Sequence, residues 1–439
     1  MKTKEIPQKI NVITMGCSKN LVDSEHLMAQ LKANKIQVVH EQDEDNYDAV
    51  IINTCGFIAD AKEESIDMIL NAVDAKKAGH LKKVYVMGCL SERYKNELPK
   101  EITEVDGYFG ATDADIIKIT EDIGAEYKKE LVGERVVTTP SHYAYLKISE
   151  GCDRTCAFCA IPKIRGKHKS VDMKILLQEA RSLAQKGVKE LILIAQDLVL
   201  YGIDIYKKQA LPDLLKELVK IEGIEWIRLH YTYPNNFPLE VLDLIKEEPK
   251  IANYVDIPLQ HINDRVLKSM KRNHNSETTR KLVGQMRDKV PGMSIRTTFI
   301  VGFPGETDSE FEELKEFIKE SKFDRMGVFT YSPEENTSAF ELKDDVPEKV
   351  KLARKEELME IQQLISLEIN QKKLGQHYQV IIDRIEDDYY VGRTEYDSPE
   401  VDNEVLIEYD SCDLEVGEFY KVRIIQVDSF DLFGAVINK

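Results

Sequence analysis

Residues 150–159 read EGCDRTCAFC and place Cys152, Cys156 and Cys159 in a CxxxCxxC pattern. The motif follows YAYLKIS at 143–149, a run typical of a β-strand. Three thiolates can ligate three irons of a 4Fe–4S cube, which normally takes four cysteines, so the fourth iron stays open to a non-protein ligand. A structural zinc site needs two pairs of ligands, and no second pair follows here. We therefore predict a 4Fe–4S cluster that binds a small molecule, with a zinc or purely structural site as the alternative.

Strand-like and helical segments alternate around this motif. The apolar runs that predict strands lie at 143–150, 190–197, 226–233, 253–260, 294–302 and 325–332. Six βα units predict an open or partial (β/α) barrel over residues 138–372. In such barrels the chemistry lies at the C-terminal ends of the strands.

The candidate cofactor-binding residues at these strand ends are Gln196, Asp197, His230, Gly302 and Gly305. The glycines would bring the backbone close to a ligand, whereas packing or loop ordering is an equally good interpretation of the polar side chains. The run IPKIRGKHK at 161–169 is basic in an acidic chain. Beside a cluster, its Lys163 or Arg165 would meet an anionic group, unless the run is a solvated loop.

An N-terminal domain over residues 8–125 is predicted to hold a second site. Three short apolar runs, at 10–17, 48–56 and 83–89, end in or next to Cys17, Cys55 and Cys89, with helical patterns between them. Near-continuous hydrophobicity is typical of parallel strands buried on both faces. Because parallel strands end at one edge of a sheet, where open α/β sheets bind ligands, the three thiols would form a metal or cluster site there. The alternative is that all three are buried core cysteines.

The C-terminal part of the chain has a different pattern. A helical stretch at 347–375 precedes five short strand-like runs, which predict a small OB-like β-barrel over residues 374–439. This segment carries sixteen acidic and five basic side chains, a net charge of −11. A phosphate backbone would be repelled and a basic protein attracted, so we predict a basic ribosomal protein as partner. The loop at 396–404 concentrates acid and is expected to be exposed to that partner.

Composition places the whole chain among folded intracellular proteins. It has 439 residues and a net charge of −18. The cysteine count is seven, an odd number, and the N-terminus has no apolar signal region. No apolar stretch approaches the ~18 residues of a membrane span. We therefore expect an α/β protein of the cytoplasm with no membrane contact.

Seven motifs in the sequence resemble those of a known protein family. They are GCSKNLVDSE (16–25), NTCGFI (53–58), MGC (87–89), EGCDRTCAFCAIPKIRGKHKS (150–170), YVDIPLQH (254–261), FIVGFPGET (299–307) and GRTEYDSPEVD (392–402). Together they resemble the methylthiotransferases of the radical S-adenosylmethionine (SAM) superfamily over essentially the whole chain. One departure is Val171, where arginine is usual in that family, and it concerns a local contact near the SAM cluster.

The resemblance implies two 4Fe–4S clusters and SAM as cofactors, and a C-terminal TRAM domain. By that resemblance, Cys152, Cys156 and Cys159 hold the cluster that cleaves SAM, and Cys17, Cys55 and Cys89 hold an auxiliary cluster that carries the sulfur to be inserted. The GCSKN motif and the acidic barrel favour the branch that methylthiolates the β-carbon of an aspartate in a small-subunit ribosomal protein. A reductant such as flavodoxin or ferredoxin and a source of sulfur are further implied partners.

Three alternatives remain open on sequence alone. The first is the branch of the same family that methylthiolates tRNA adenosine. The second is a cobalamin-dependent radical enzyme, although no DxHxxG-like segment for cobalamin is present. The third is a non-enzymatic iron–sulfur carrier or RNA-binding adaptor, which would not need a barrel with loops of this size.

Overall fold

The computed structural model describes residues 6–42, 47–131, 133–411 and 413–438, so Cys412 lies outside the described residues. The chain forms two compact units. Unit 1 comprises the residues up to Thr139 with Tyr145–Arg154 and Cys159–Ser182, and unit 2 comprises Pro140–Ala144, Thr155–Phe158 and the residues from Leu183 onward. In these ranges no helix is long and apolar enough to cross a membrane.

Unit 1 is built on a five-stranded parallel sheet with the order β2-β1-β3-β4-β5. Its strands are β1 (Lys9–Thr14), β2 (Gln37–His40), β3 (Ala49–Thr54), β4 (Lys83–Gly88) and β5 (Gly107–Tyr108). The helices that connect or follow these five strands are α1 (Ser18–Ala33), α2 (Ala59–Lys77), α3 (Cys89–Arg93), α4 (Leu98–Glu101) and α5 (Asp113–Ile123). The predicted parallel α/β domain is confirmed. The sequence analysis missed β2 and β5, because these short edge strands have few buried residues and so no clear apolar run.

Both faces of this sheet are covered, which explains the near-continuous apolar runs. One core cluster packs Ile10, Val12 and Tyr85 against α1 and α5, and the other packs Ile52 and Val86 on the opposite face. Alternate residues of one strand therefore face different cores, so the strand sequence cannot alternate between apolar and polar.

The central sheet has six strands in the order β13-β12-β11-β10-β9-β6, and the neighbouring strands from β9 to β13 are all parallel. The strands are β6 (Tyr143–Lys147), β9 (Glu190–Ile194), β10 (Trp226–Leu229), β11 (Ile251–Asp256), β12 (Ser294–Val301) and β13 (Arg325–Thr330), and β7 (Ser149–Glu150) and β8 (Lys169–Ser170) form a separate pair. The helices are α6 (Ile161–Ile164), α7 (Met173–Gln185), α8 (Ile203–Tyr206), α9 (Leu211–Leu218), α10 (Glu240–Glu247), α11 (Asp264–Ser269), α12 (Ser276–Lys289), α13 (Asp308–Ser321) and α14 (Glu348–Gln371). Because spatial order follows chain order and the sheet stays open, the predicted partial (β/α) barrel is confirmed.

The C-terminal segment forms a closed five-stranded barrel with the order β14-β15-β16-β18-β17. Its strands are β14 (His377–Glu386), β15 (Tyr389–Arg393), β16 (Val405–Glu408), β17 (Phe419–Val427) and β18 (Leu432–Asn438). Its interior is filled by Val380, Ile382, Tyr390 and Ile407 among others. The predicted small β-barrel is therefore confirmed.

Within unit 2, buried ion pairs join this barrel to the open sheet. Arg393 on β15 pairs with Glu190 on β9 (Nη2 to Oε2, 2.7 Å) and with Asp383 on β14 (Nε to Oδ2, 2.6 Å). Arg228 on β10 reaches the other oxygen of Glu190 at 2.7 Å. Nearby, the ring of Trp226 meets the edge of Phe419 with centroids 4.8 Å apart. The contact therefore combines buried ion pairs with an aromatic pair.

The acidic loop at 396–404 is part of this contact, and the expectation that it is exposed was wrong for Asp397 and Asp402, two of its four acids. Asp397 is fully buried and pairs with Arg325 on β13. Asp402 has no exposed side-chain surface and accepts a hydrogen bond from the Tyr254 hydroxyl at 2.8 Å. Glu400 is exposed, and Glu404 is half-buried. Much of the loop's acid is thus matched by basic side chains of the central sheet.

Candidate functional site

The first candidate site lies at the carboxyl edge of the unit 1 sheet. The register pairs Thr14 with Asn53 and Thr54 with Gly88, so β1, β3 and β4 end at one level. Cys17 is the N-cap of α1, Cys55 follows β3 directly, and Cys89 begins α3. The three cysteines therefore emerge at one edge, as the spacing of the apolar runs predicts.

Gly16 allows the loop that carries Cys17 to contact Cys55. Gly16 has φ of +89°, and a Cβ there would lie 2.7 Å from Cys55 Cβ and 2.8 Å from Cys55 Sγ. Only a residue without a side chain permits this approach. Burial raises the pKa of the Cys89 thiol to about 11, an effect that the Arg165 cation opposes and the neighbouring Cys17 and Cys55 increase. The three thiols are thus close enough to influence one another electrostatically.

These cysteines suit a cluster better than a single ion. Within the described ranges, no three His, Cys, Asp or Glu side chains come together as the ligands of one metal ion. In an iron–sulfur cube each thiolate binds its own iron, so the ligands stand further apart than around one ion. Three thiols at one sheet edge with a buried cation beside them therefore fit an anionic iron–sulfur group.

The buried cation is Arg165. Its Nε donates to Cys89 Sγ at 3.3 Å and its Nη1 donates to Asp23 at 2.7 Å. Of the two basic residues singled out in the 161–169 run, Arg165 is buried and Lys163 is exposed. Asn20, in the first turn of α1, is buried with its Oδ1 3.7 Å from Cys89 Sγ. The anionic partners of Arg165 are thus Asp23 and Glu150, beside the N-terminal cysteines.

The second candidate site is the CxxxCxxC triplet, whose three cysteines are half-buried and form no disulfide. In unit 1, the Cys152 N–H donates to Gly166 O at 3.1 Å, and the Arg154 N–H donates to Cys152 Sγ at 3.4 Å. Backbone donors aimed at a cysteine sulfur stabilise its thiolate form. The Arg154 N–H is therefore a donor directed at the Cys152 sulfur.

In unit 2, Cys156 has a cationic neighbour of its own. Arg272 Nη1 donates to Cys156 Sγ at 3.4 Å, and the guanidinium lies over the Tyr233 ring at 4.1 Å from its centroid. The neighbouring Ala157 is buried and exchanges backbone hydrogen bonds with Met270 and Ala339 at 2.8 Å each. Sequence reasoning missed Arg272, because a single arginine after a helix gives no signal that distinguishes it from a solvated charge.

The polar candidates at the strand ends have structural partners. Asp197 is fully buried and caps the 3₁₀ helix Leu198–Leu200 by accepting from the Val199 N–H at 2.9 Å. His230 Nε2 and Ser398 Oγ are hydrogen-bonded at 2.8 Å, which joins β10 to the C-terminal barrel. Gln196 is half-buried immediately before Asp197. Asp197 and His230 therefore order loops, whatever else they contact.

The glycine loop after β12 is held by a buried carboxylate. Gly302 and Gly305 have φ of +72° and +79°, and a side chain at Gly302 would collide with Lys351 of α14. Glu306 accepts from the Gly302 N–H at 2.6 Å and pairs with Arg354 at 3.1 Å, and burial raises its pKa to about 7. Gly302 is thus explained by close helix packing.

Gln260, at the end of the β11 segment, carries strain that the sequence did not show. Its φ is +73°, and its buried Oε1 has no hydrogen-bond partner among the described residues. Residues other than glycine rarely adopt this conformation, and those that do cluster at functional sites. Gln260 therefore joins the candidates at the mouth of the barrel.

Comparison with known proteins agrees with these features. Three family models match successive parts of the chain: the uncharacterized protein family UPF0004 at 9–110, the radical SAM superfamily at 146–318 and the TRAM domain at 374–437. The relatives named ribosomal protein uS12 methylthiotransferase RimO include those of Flavobacterium psychrophilum (59% identity, 99% of each chain) and Christiangramia forsetii (57% identity, 100% of this chain and 96% of the relative). The chain belongs to this family of radical SAM methylthiotransferases.

Radical SAM methylthiotransferases use SAM and two 4Fe–4S clusters, which confirms the cofactors that the resemblance implied. Among solved structures, the radical SAM methyltransferase TsrM from Kitasatospora setae, with cobalamin and a [4Fe-4S] cluster bound, is similar with a TM-score of 0.56 over 74% of this chain and 76% of that one. The identity is 14%, so the likeness shows the fold alone. This structural likeness therefore does not support the cobalamin-dependent alternative.

Proposed function

We propose that this methylthiotransferase acts on an aspartate of ribosomal protein uS12, inserting sulfur at the β-carbon and methylating it. The observation that carries the substrate is the similarity of 57–59% identity, across essentially the whole chain, to relatives whose names state uS12. An unactivated C–H bond cannot be deprotonated by a side chain, so the cofactors supply the radical and the sulfur, and the protein positions them.

We propose that each cysteine set holds one cluster. Cys152, Cys156 and Cys159 would hold the SAM-cleaving cluster, because three thiolates leave one iron open to SAM. Cys17, Cys55 and Cys89 would hold the auxiliary cluster at the unit 1 sheet edge. Each set has one arginine that donates to a cysteine sulfur, Arg272 to Cys156 and Arg165 to Cys89.

The neighbourhood of SAM is proposed at the strand ends of the central sheet. Its candidate residues remain Gln196, Asp197, His230, Gly302 and Gly305. The Gly305 N–H donates to Asp345 at 2.7 Å, and Asp197, His230 and Gly302 are held within the chain as described. We therefore expect these four to shape the mouth of the barrel, and we add Gln260 as a side chain with an oxygen available to a ligand.

The proposed uS12 substrate determines the expected partners and the cellular location. The proposed uS12 substrate would be bound as a basic protein, free or in the ribosome, so the enzyme would work in the cytoplasm. A reductant such as flavodoxin or ferredoxin and a separate sulfur source are needed by the reaction. We propose three domains for these tasks, with boundaries at 8–125, 138–372 and 374–439.

The first test counts iron in reconstituted full-length protein. Two cubes correspond to about eight irons, and replacing Cys152, Cys156 and Cys159 with alanine should leave about four and abolish SAM cleavage. Iron analysis and 5′-deoxyadenosine formation measure these outcomes. Retention of no iron at all in that variant would contradict an independent N-terminal site.

The second test separates cleavage from sulfur insertion and identifies the substrate. With Cys17, Cys55 and Cys89 replaced by alanine, SAM cleavage should persist while the methylthio mass increment on uS12 vanishes in intact-mass analysis. Methylthio product from that variant would exclude the auxiliary cluster as the sulfur site. Methylthiolation of tRNA by the wild-type enzyme would refute the choice of substrate.

A further inference from the structure

The segment that follows the CxxxCxxC triplet forms one wall of the N-terminal cysteine site in unit 1. Directly after Cys159, Ala160 and the short helix α6 bring Ile164 into a buried cluster with Cys89 and Ala111. Arg165 is the C-cap of that helix, so its side chain starts beside the same cysteine. Six residues of chain therefore connect a proposed ligand of one cluster with the surroundings of the other.

Arg165 is fixed at this wall by several acceptors. Nε donates to Cys89 Sγ at 3.3 Å, Nη1 donates to Ala111 O at 2.9 Å, and Nη2 donates to Asn20 Oδ1. The guanidinium is planar and rigid, so these bonds set the orientation of the Nε–H toward the sulfur. With 1% of its side chain exposed, its charge is screened little by solvent.

The charges around Arg165 balance without the cysteine. Its Nη1 contacts Asp23 at 2.7 Å and Glu150 at 3.0 Å, and Lys147 pairs with the same two carboxylates. Two cations and two carboxylates sum to zero. A thiolate at Cys89 is therefore an additional anion, and the Nε–H of Arg165 is the donor directed at it.

We propose that Arg165 is a positioning residue that raises the reduction potential of the auxiliary cluster, through its hydrogen bond to Cys89 Sγ and its buried charge. The proposal rests on the proposed ligation of that cluster by Cys17, Cys55 and Cys89. Reduction adds one negative charge to a cluster, so a nearby cation and an N–H donor to its sulfur stabilise the reduced form more than the oxidised form. Arg165 would thus make the auxiliary cluster easier to reduce.

The test measures the midpoint potential of that cluster alone. The full-length variant with Cys152, Cys156 and Cys159 replaced by alanine serves as the parent, and EPR-monitored redox titration follows its remaining cluster. Arg165→Gln should shift the potential downward, and Arg165→Lys, which keeps the charge without the fork geometry, should shift it less. The matched control Lys163→Gln removes a cation from the same segment at an exposed position and should leave the potential unchanged.

A double variant tests whether a lowered potential comes from the lost hydrogen bond or from misfolding caused by unbalanced buried charge. Arg165→Gln leaves Asp23 and Glu150 with one cation, whereas adding Asp23→Asn restores the charge balance while the bond to sulfur remains absent. A lowered potential in the double variant supports the proposal. An unchanged potential in both Arg165→Gln proteins, or an equal shift in Lys163→Gln, overturns it while leaving the cluster site intact. A parent without iron overturns the proposed ligation and this inference together.

Discussion

Single residues decide how closely the N-terminal cysteine loops approach. At Gly16 a left-handed backbone and a contact with Cys55 coincide, so any side chain meets both a conformational penalty and a clash. Gly79, at the end of α2, has nearly the same φ of +85°, but a Cβ there would meet nothing within 4 Å. The two glycines therefore separate the cost of backbone strain from the cost of displacing Cys55.

We expect Gly16→Ala to lower iron content from about eight to about four per chain, because Cys55 must move away from its position in the set. Iron analysis of reconstituted protein measures this. Gly79→Ala should cost about 1–2 kcal/mol of folding free energy for the left-handed conformation and keep the full iron content. Equal iron loss in both variants would show that strain alone is responsible.

At the scale of elements, the loop between β15 and β16 acts as a connector within unit 2. Asp397 pairs with Arg325, and Asp402 bonds to Tyr254 and pairs with Arg296 at 3.3 Å. These carboxylates lie among cations of the central sheet and are unavailable to a substrate. The net charge of −11 thus overstates the acid that the C-terminal barrel presents to a partner.

Asp397→Asn should destabilise the folded protein by about 3–5 kcal/mol, because it leaves the buried Arg325 without its counter-ion. Urea denaturation followed by circular dichroism measures the change. As a matched control, Glu404→Gln removes one partner of the half-exposed Arg384–Glu404 pair in the same domain and should cost only about 0.2–1 kcal/mol. A loss of similar size in both variants would contradict the assignment of Asp397 as a buried connector.

Sequence patterns predicted the order of the elements well and the partners of charged residues poorly. The run of apolar residues before each N-terminal cysteine reflects burial on both sheet faces, so Cys17, Cys55 and Cys89 were placed correctly at one edge. Local pattern does not tell whether an acid is solvated or paired. The partner of Asp397 is Arg325, 72 positions away in the chain. The sequence analysis missed Arg272, which lies beside Cys156, for the same reason.

For the whole molecule, buried carboxylates couple stability to pH. Although burial acts against them, neighbouring arginines hold the pKa values of Glu190, Asp383 and Asp397 below their ordinary ranges. A carboxyl group with a lowered folded-state pKa contributes stability above its unfolded pKa, about 4, and loses it as the pH falls through the folded value. Asp402 and Glu306 behave differently, since burial raises their pKa values despite the neighbouring Arg296 and Arg354.

We therefore expect the free energy of unfolding to fall steadily as the pH drops from about 4.5 toward 2. Calorimetry at a series of pH values measures this dependence. Asp397→Asn should show a shallower decline over that window, because one of the three groups no longer titrates. An identical slope for variant and wild type would mean that Asp397 has an ordinary pKa in the folded state.

The contact between Trp226 and Phe419 gives the protein an optical reporter of its own. Trp226 is the only tryptophan in the sequence and is 7% exposed. Indole fluorescence from this chain therefore comes from one place, the contact between the open sheet and the C-terminal barrel. A red shift of that emission would signal water entering this contact. Detachment of the barrel can thus be followed in unlabelled enzyme while substrate binds or turns over.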